Sequence, residues 1–267
     1  MHEDLGRAGD VTTRFILDRQ IAGRGRLLAK SSGIVAGLPV FQRVMHKVDR
    51  QILCRFESED GTKVDPGTII GHVSGRLASI LTAERTALNF LQRFSGIATL
   101  TGQFVSAVAG TGAVILDTRK TLPAYRWLDK YAVRQGGARN HRHGLYDMIL
   151  IKDNHIEAAG SLSAAVERCL TRMKRYRIAI EVETRSIDEV MEALRFPVQR
   201  ILLDNMPIPM LKKAVREING VVETEASGGI TLENVRQVAE AGVNFISIGA
   251  LTHSVRALDI ALDITGE

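Results

Sequence analysis

The stretch Ile115-Leu116-Asp117-Thr118-Arg119-Lys120-Thr121 joins a short apolar run to a carboxylate and two cations. Short apolar runs bounded by polar residues are typical of buried strands in α/β proteins. Such proteins bind their ligands at the carboxyl ends of the strands, which is where the charges of this stretch fall. The stretch therefore predicts a buried parallel strand that ends in a ligand site.

The same pattern recurs five times further along the chain, where apolar runs end at Lys152, Glu183, Asp204, Ser227-Gly228-Gly229 and Gly249. From Lys152 onward the intervals are about 21 to 31 residues, which suits one strand and one helix each. A doubly wound sheet uses only the strand ends near its switch point, whereas a barrel brings all of them to one mouth. The pattern therefore predicts an α/β barrel, incomplete because it has six or seven strands.

Residues from about 20 to 75 show a different pattern, in which short apolar runs alternate with turn residues such as Asp65-Pro66-Gly67. This indicates a β-rich region. Apolar spacing then predicts a helix from Leu77 to Leu91 and a second helix from Ile97 to Ala109, separated near Ser95-Gly96. We expect an N-terminal mixed α/β sandwich domain over residues 1–97, which the C-terminal segment 252–267 can join. The barrel domain is expected over residues 98–251.

Composition limits the class of function. The 267 residues carry a net charge of +5, only 5% are aromatic, and the two cysteines are far apart. Single-stranded nucleic-acid binders interleave basic with aromatic residues, so we favour small anions as ligands over nucleic acid. A second basic cluster at residues 172–177 is interpreted as the solvated end of a helix. No apolar run is long enough to span a membrane, and no secretory signal is recognisable, which together predict a reduced cytoplasmic protein.

The Ser227-Gly228-Gly229 loop follows a predicted strand and precedes a helix predicted from Leu232 to Ala241. Glycines let backbone N–H groups approach a ligand, and a helix N-terminus adds positive potential. Gly249 ends the next strand in a similar way. Two adjacent late loops of this kind are typical of the phosphate site of barrel enzymes. The alternative is that these glycines only form tight turns.

Carboxylates and cations end the other strands. Glu183 and Asp204 end consecutive strands, so they can hold Mg²⁺ with a phosphorylated sugar or bind ribose hydroxyls. They can also pair with Lys152 or Arg119 for structural reasons alone. The basic set exceeds what one phosphate needs, so it predicts a second anion, a di-acid; its members are Arg85, Arg119, Lys120, Arg142 and Lys152.

Two residues of this region allow other chemistry. Lys152 at a strand end can form a Schiff base, as in an aldolase. His141-Arg142-His143 contains a His-x-His pair of the kind that binds metals, but it has no cysteine nearby and precedes a strand rather than following one. We therefore favour contact between His141 and an anion. Glu181 lies two residues before Glu183, on the same face of its strand and one layer deeper.

The chain resembles the quinolinate phosphoribosyltransferase family, also called nicotinate-nucleotide pyrophosphorylase (carboxylating). The resemblance covers nearly the whole chain, from Glu3 to about Leu262. The blocks that carry it are Glu84–Thr99, Asp117–Thr121, Asn140–Arg142, Leu150–His155, Glu181–Glu183, Leu203–Asn205, Glu225–Thr231 and Gly249.

The resemblance implies a type II phosphoribosyltransferase that transfers phosphoribosyl from phosphoribosyl pyrophosphate to quinolinate, with Mg²⁺ as cofactor. It implies that Arg119, His141, Arg142 and Lys152 face quinolinate and that Lys120 reaches the same pocket. Lys120, Lys152, Glu183 and Asp204 are the implied catalytic residues. Glu183 and Asp204 hold the ribose and Mg²⁺, while Ser227, Gly228, Gly229 and Gly249 bind phosphate. Arg85 is implied to enter the active site of a neighbouring subunit in a homodimer, and the resemblance leaves dimer or hexamer open.

Three rival interpretations remain at this stage. The first is a paralogue of the same fold, found with molybdate-transport genes, that uses another acceptor. Retention of Arg85, Arg119, Arg142 and Lys152 favours quinolinate over that acceptor. The second is a Schiff-base aldolase that uses Lys152. The third is a basic nucleic-acid binder, which would show a steep dependence of binding on salt.

Overall fold

The structure, a computed structural model, describes residues 1–18, 20–173 and 177–265. The chain divides into two compact units. The N-terminal unit comprises Met1–Gly102, Tyr131–Gly137 and Val255–Glu267, and the barrel unit comprises Gln103–Lys130 and Ala138–Ser254. Relative to the predicted boundaries, residues 98–102 and 131–137 belong to the N-terminal unit and residues 252–254 to the barrel unit.

The N-terminal unit is built on an antiparallel sheet with the strand order β12-β1-β5-β3. Its C-terminal strand β12 pairs with β1, so both ends of the chain contribute to one sheet. A smaller sheet pairs β2 with β4. The elements are α1 (His2–Leu5), α2 (Val11–Ile16), β1 (Ala22–Ala29), β2 (Gly33–Ile34), α3 (Leu38–Val48), β3 (Leu53–Phe56), β4 (Lys63–Val64), β5 (Ile69–Arg76), the first part of α4 (Leu77–Ala107) and β12 (Ile260–Thr265).

The core of this unit lies between the sheet and helices α3 and α4. Phe41 and Met45 of α3 and Leu88 and Leu91 of α4 pack with strand residues such as Ile70. In both helices the buried positions recur at spacings of three and four residues, so one apolar stripe of each faces the core. The mixed α/β character predicted for this region is confirmed.

The predicted break near Ser95-Gly96 is wrong, because α4 runs without interruption from Leu77 to Ala107. Gly96 serves close packing instead. A Cβ atom at this position would lie 2.2 Å from the carbonyl oxygen of Arg256. Ser95 is also engaged, since its Oγ accepts a hydrogen bond from the backbone N–H of Ala36 at 3.0 Å. These residues are small because of tertiary contacts and not because the helix ends.

The barrel unit contains a parallel sheet with the strand order β6-β11-β10-β9-β8-β7 among the described residues. Helices follow the strands, which confirms the incomplete α/β barrel. After the end of α4, the elements are β6 (Val114–Leu116), α5 (Arg126–Gln135, shared between the units), β7 (Ile149–Ile151), α6 (Asp153–Ala159), α7 (Leu162–Arg172), β8 (Ile180–Thr184), α8 (Ile187–Ala193), β9 (Arg200–Asp204), α9 (Ile208–Ile218), β10 (Glu223–Ser227), α10 (Val235–Ala239), β11 (Phe245–Ser247) and α11 (Ala250–His253).

The strands are buried, as expected for a parallel sheet covered by helices. Every residue of β8 is buried. Helix α9 packs through Leu211, Ala214 and Ile218, whose spacing forms one apolar stripe. Among the described residues, none of the helices combines the length and apolar composition needed to cross a bilayer.

The helix expected from Leu232 to Ala241 is shorter, since α10 spans Val235–Ala239 and is preceded by turns. Asn234 explains the late start, because its Oδ1 accepts a hydrogen bond from the N–H of Thr231 at 2.9 Å and stabilises a turn. The basic cluster at residues 172–177 begins where α7 ends, but residues 174–176 lie outside the described residues.

Candidate active site

A cavity of about 850 Å³ opens at the carboxyl ends of the barrel strands. Its size is in the range of cavities that hold small-molecule ligands. The predicted site residues that line it are Arg119, Lys120, His141, Arg142, Lys152, Glu183, Asp204, Ser227, Gly228, Gly229 and Gly249. The strand ends identified in the sequence thus meet at one place.

Arg85 is the predicted site residue that is absent from the described lining of this cavity. It lies on α4 in the N-terminal unit, and its side chain is exposed. Its expected role in a neighbouring subunit stays a prediction.

The glycine loop has a backbone that only small residues tolerate. Gly228 and Gly229 have φ values of 86° and 61°, in the left-handed region. A Cβ on Gly228 would also lie 2.2 Å from Asn205 Oδ1. Because α10 begins only at Val235, any anion here would be held by the loop itself and not by a helix terminus.

The four charged residues Lys152, Glu183, Arg185 and Asp204 form what we call the rim group. Lys152 Nζ donates a hydrogen bond to Glu183 Oε2 at 2.8 Å. Arg185 lies 3.5 Å from Glu183 Oε1 and 3.5 Å from Asp204 Oδ2. The Oγ of Ser227 donates to Asp204 Oδ1 at 2.7 Å, so Asp204 joins the glycine loop to the rim group.

Arg119 and Arg142 are two further cations that line the cavity. Arg119 Nε is buried and has no hydrogen-bond partner among the described residues. Arg142 donates to the carbonyl of Met148 at 3.0 Å. Burial lowers the pKa of Arg142, and the charge of Arg119 lowers it further. Two neighbouring guanidinium groups with an unsatisfied donor indicate an anionic ligand.

His141, Glu181, Arg200 and Glu225 form a second charged group, which we call the floor group. His141 Nε2 is 3.1 Å from Glu181 Oε2 and 3.4 Å from Glu225 Oε1. Arg200 donates to Glu225 Oε2 at 2.9 Å. Burial lowers the pKa of His141, but the two carboxylates outweigh it and raise the pKa to about 9. Glu181 is fully buried, one layer below Glu183, as their spacing predicted.

The chemistry of His141 argues against a metal between these buried groups, although His141, Glu181 and Glu225 lie close enough together to hold one. The backbone N–H of Arg142 donates to His141 Nδ1 at 2.7 Å. The ring that accepts this bond is neutral and carries its proton on Nε2, whereas the imidazolium carries protons on both nitrogens and does not accept the bond. In both states Nε2 is protonated and is not available as a metal ligand. The ring of His143 stacks on Trp127, with 4.4 Å between the ring centroids. Among the described residues, His141 and His143 therefore contact different partners.

A buried ion pair holds the main chain of His141. Asp117 and Lys130 are fully buried and form a hydrogen bond. Asp117 also accepts from the N–H of His141 at 2.8 Å, and Lys130 donates to the carbonyl of His141 at 3.0 Å. Burial raises the pKa of Asp117 and lowers that of Lys130, while their attraction opposes both shifts.

The lining residues that sequence reasoning did not assign to the site include Arg185, Asn205 and Glu225. Each had a signal in the sequence. Arg185 follows Glu183 by two residues, Asn205 follows Asp204, and Glu225 precedes Ser227 by two residues on the same face of β10. Asn205 has a φ of 53°, a conformation that asparagine tolerates better than most residues.

The chain matches the family models of quinolinate phosphoribosyl transferase along most of its length. The model of the N-terminal domain matches residues 10–95, and the model of the C-terminal domain matches residues 97–263.

Similar proteins agree with this match. The mitochondrial quinolinate phosphoribosyltransferase (decarboxylating) 2 of Nicotiana glauca is 46% identical, over 100% of this chain and 80% of the relative. The crystal structure of NadC from Streptococcus pyogenes superposes with a TM-score of 0.95 at 37% identity, covering 99% of this chain and 93% of the other. The nicotinate-nucleotide pyrophosphorylase from Ehrlichia chaffeensis gives a TM-score of 0.94 at 39% identity, covering 99% and 95%.

Proposed function

The chain belongs to the quinolinate phosphoribosyltransferase family, and from this membership we propose that it transfers phosphoribosyl from phosphoribosyl pyrophosphate to quinolinate with Mg²⁺. The products would be nicotinate mononucleotide, pyrophosphate and CO₂. One observation carries the proposal. The cavity is lined by guanidinium groups and lysines together with carboxylates and a glycine loop. A dianionic acceptor matches the cations, and a phosphorylated sugar matches the carboxylates and the glycine loop.

The acceptor half consists of the cations. Arg119 and Arg142 pair with the carboxylates of quinolinate through the two parallel hydrogen bonds that a guanidinium group forms, and Lys152 adds a compact positive charge. The free Nε of Arg119 supports this assignment. Lys120 adds charge at the entrance, where its side chain is exposed. His141 lines the floor of this half, held from below by Glu181 and Glu225.

The donor half is formed by the glycine loop and the carboxylates. Backbone N–H groups of Ser227, Gly228, Gly229 and Gly249 bind the phosphate of the donor. Glu183 and Asp204 bind the ribose hydroxyls, and their negative charge stabilises the cationic ribose that forms as pyrophosphate leaves.

The residues present also fit Mg²⁺. This ion prefers oxygen ligands and is commonly held by one or two carboxylates together with substrate phosphates. Glu183 and Asp204 supply two carboxylates at the same cavity, and both already contact cationic side chains. When bound, Mg²⁺ would neutralise charge on the leaving pyrophosphate.

The proposed reaction needs no covalent intermediate with the protein. The pyridine nitrogen of quinolinate attacks C1 of the ribose as the bond from C1 to pyrophosphate breaks. The positive charge of the resulting pyridinium nitrogen stabilises an electron pair at C2, so the bond from C2 to its carboxylate breaks, CO₂ leaves, and the electron pair at C2 takes a proton from water. The cations contribute by holding the di-acid in line with the ribose, which lowers the entropic barrier.

Three further properties are part of the proposal. We infer a homodimer in which Arg85, an exposed cation of α4, enters the active site of the neighbouring subunit. A hexamer would be built from such dimers. A cytoplasmic location is also proposed, although the relative from Nicotiana glauca is described as mitochondrial.

The direct test is turnover of purified protein with phosphoribosyl pyrophosphate and Mg²⁺. Nicotinate mononucleotide and CO₂ are followed with quinolinate as acceptor and, in parallel, with nicotinate. Product from quinolinate alone is expected, since nicotinate lacks the 2-carboxylate. If a folded dimer binds phosphoribosyl pyrophosphate but leaves quinolinate unchanged, the proposal is wrong and the paralogue with another acceptor replaces it.

A further inference from the structure

Arg185 is an exposed cation at the mouth of the cavity. It follows strand β8 directly, and its side chain is 55% exposed. Its main chain is fixed, because its N–H donates to Glu189 Oε2 at 2.6 Å at the start of α8. The guanidinium therefore extends from a fixed point into the rim group.

The contacts of this guanidinium are with carboxylates only, among the described residues. It lies 2.8 Å from Asp153 Oδ2 and reaches Glu183 and Asp204 at 3.5 Å. The two longer contacts join it to the residues assigned above to the ribose. Exposed ion pairs of this kind are weak, so a ligand can readily replace them.

Asp204 shows how Arg185 is placed relative to the glycine loop. Its Oδ1 accepts from Ser227, and its Oδ2 faces Arg185. The carboxylate therefore lies between the glycine loop and the guanidinium. Phosphoribosyl pyrophosphate has the same order of groups, with a phosphate at one end, hydroxyls in the middle and a diphosphate at the other end.

We propose that Arg185 binds the diphosphate group of the donor. The inference rests on the proposed function, since it takes the ribose hydroxyls to lie at Glu183 and Asp204. When these carboxylates bind the ribose, the guanidinium loses its two weak partners beside an incoming dianion. The planar guanidinium matches phosphate oxygens through two parallel hydrogen bonds.

The test measures binding of pyrophosphate in the presence of Mg²⁺ by titration calorimetry, using the full chain. Arg185→Gln is expected to weaken binding about tenfold, the effect of losing one charge-assisted contact. Arg185→Lys keeps the charge without the planar group, so its affinity for pyrophosphate should lie between those of Arg185→Gln and wild type. Arg236→Gln is the matched control, since Arg236 is also half exposed and pairs with Glu240 outside the cavity lining.

Steady-state kinetics separates this idea from the proposed function. In Arg185→Gln the KM for phosphoribosyl pyrophosphate should rise about tenfold while the KM for quinolinate stays unchanged, which also shows that the variant is folded. Equal pyrophosphate affinity in Arg185→Gln and wild type would overturn the inference and leave the proposed function standing. A wild-type protein that neither binds pyrophosphate nor turns over would overturn both.

Discussion

The rim group and the floor group use similar side chains, but the rim cations are exposed although the carboxylates they contact, Glu183 and Asp204, are 6% and 15% exposed. The rim cations Lys152 and Arg185 have side chains that are 46% and 55% exposed. In the floor group, Glu181 and Glu225 are fully buried and the side chain of His141 is 7% exposed. The rim group lines the cavity, the floor group reaches it through His141 and Glu225, and both groups balance carboxylates with cations.

The difference in burial assigns different tasks to the two groups. An exposed ion pair contributes little to folding and can exchange one partner for a ligand. A buried pair is costly to break, because removal of one partner leaves an uncompensated charge in a medium of low dielectric constant. The rim group is therefore suited to binding, whereas the floor group and the Asp117–Lys130 pair fix the shape of the cavity.

The Asp117–Lys130 pair gives the largest expected effect. Lys130→Met removes a buried cation and leaves the buried carboxyl group of Asp117 without its main partner, which should cost about 3–5 kcal/mol of unfolding free energy. Urea unfolding at neutral pH measures this loss. It should be accompanied by weaker quinolinate binding, because Lys130 also holds the carbonyl of His141.

Lys120→Met is the control for this variant. Lys120 lines the same cavity but is exposed, so its replacement should change the unfolding free energy by less than about 0.5 kcal/mol. Equal stability of the two variants would contradict the division between exposed and buried charges.

The rim group and the glycine loop could be predicted from the sequence, because their residues end neighbouring strands. Asp204 and Ser227 ended separate apolar runs, and the parallel register places them side by side on neighbouring strands. The period of a strand and the common edge of parallel strands were enough to bring the rim and the glycine loop together. The incomplete barrel followed from the same repetition.

The floor and the helix boundaries depended on contacts between distant residues. Lys130 has the sequence context of a charged helix surface, yet it is buried against Asp117 from another loop. Gly96 has the context of a helix end, yet it lies inside a helix because the chain at Arg256 passes close by. Local patterns carry no information about such partners, so these features were missed.

Glu183 gives the second prediction. Glu183→Gln keeps the size of the side chain but removes the charge that stabilises the cationic ribose, so kcat/KM should fall by roughly 10²–10³-fold. Product formation under steady-state conditions measures the loss. Glu240→Gln, which alters an exposed ion pair with Arg236 just after the end of α10, is the control and should retain wild-type activity. Near-normal turnover in Glu183→Gln would show that the charge of Glu183 does not contribute to the reaction.

His141 gives the third prediction, on pH. Because its pKa is raised to about 9, its protonation stabilises the fold fully below the ordinary value of about 6.5. This contribution, on the order of 1–3 kcal/mol, is lost as the pH rises through about 9. Unfolding free energies measured from pH 6 to pH 10 should show this loss in wild type and not in His141→Gln.

The control for His141 is His72→Gln, which alters an exposed histidine paired with Glu57 in the N-terminal unit. The unfolding free energy of His72→Gln should depend on pH in the same way as that of wild type between pH 6 and pH 10. Parallel profiles for wild type and His141→Gln would show that the buried carboxylates do not hold a proton on His141.

The smallest expected effect belongs to the rim. Asp153→Asn removes the carboxylate that pairs with Arg185 at 2.8 Å but keeps the Oδ1 atom that accepts from the N–H of Asn154 at 2.7 Å. Because both partners are well exposed, the urea midpoint should stay within error of wild type. A clear loss of stability would show that the ion pairs of the rim group stabilise the fold as those of the floor group do. If the urea midpoint is unchanged and the affinity for pyrophosphate is altered, the rim pairs contribute to ligand binding and not to stability. In that case Asp153, the carboxylate nearest to Arg185, competes with pyrophosphate for the guanidinium group.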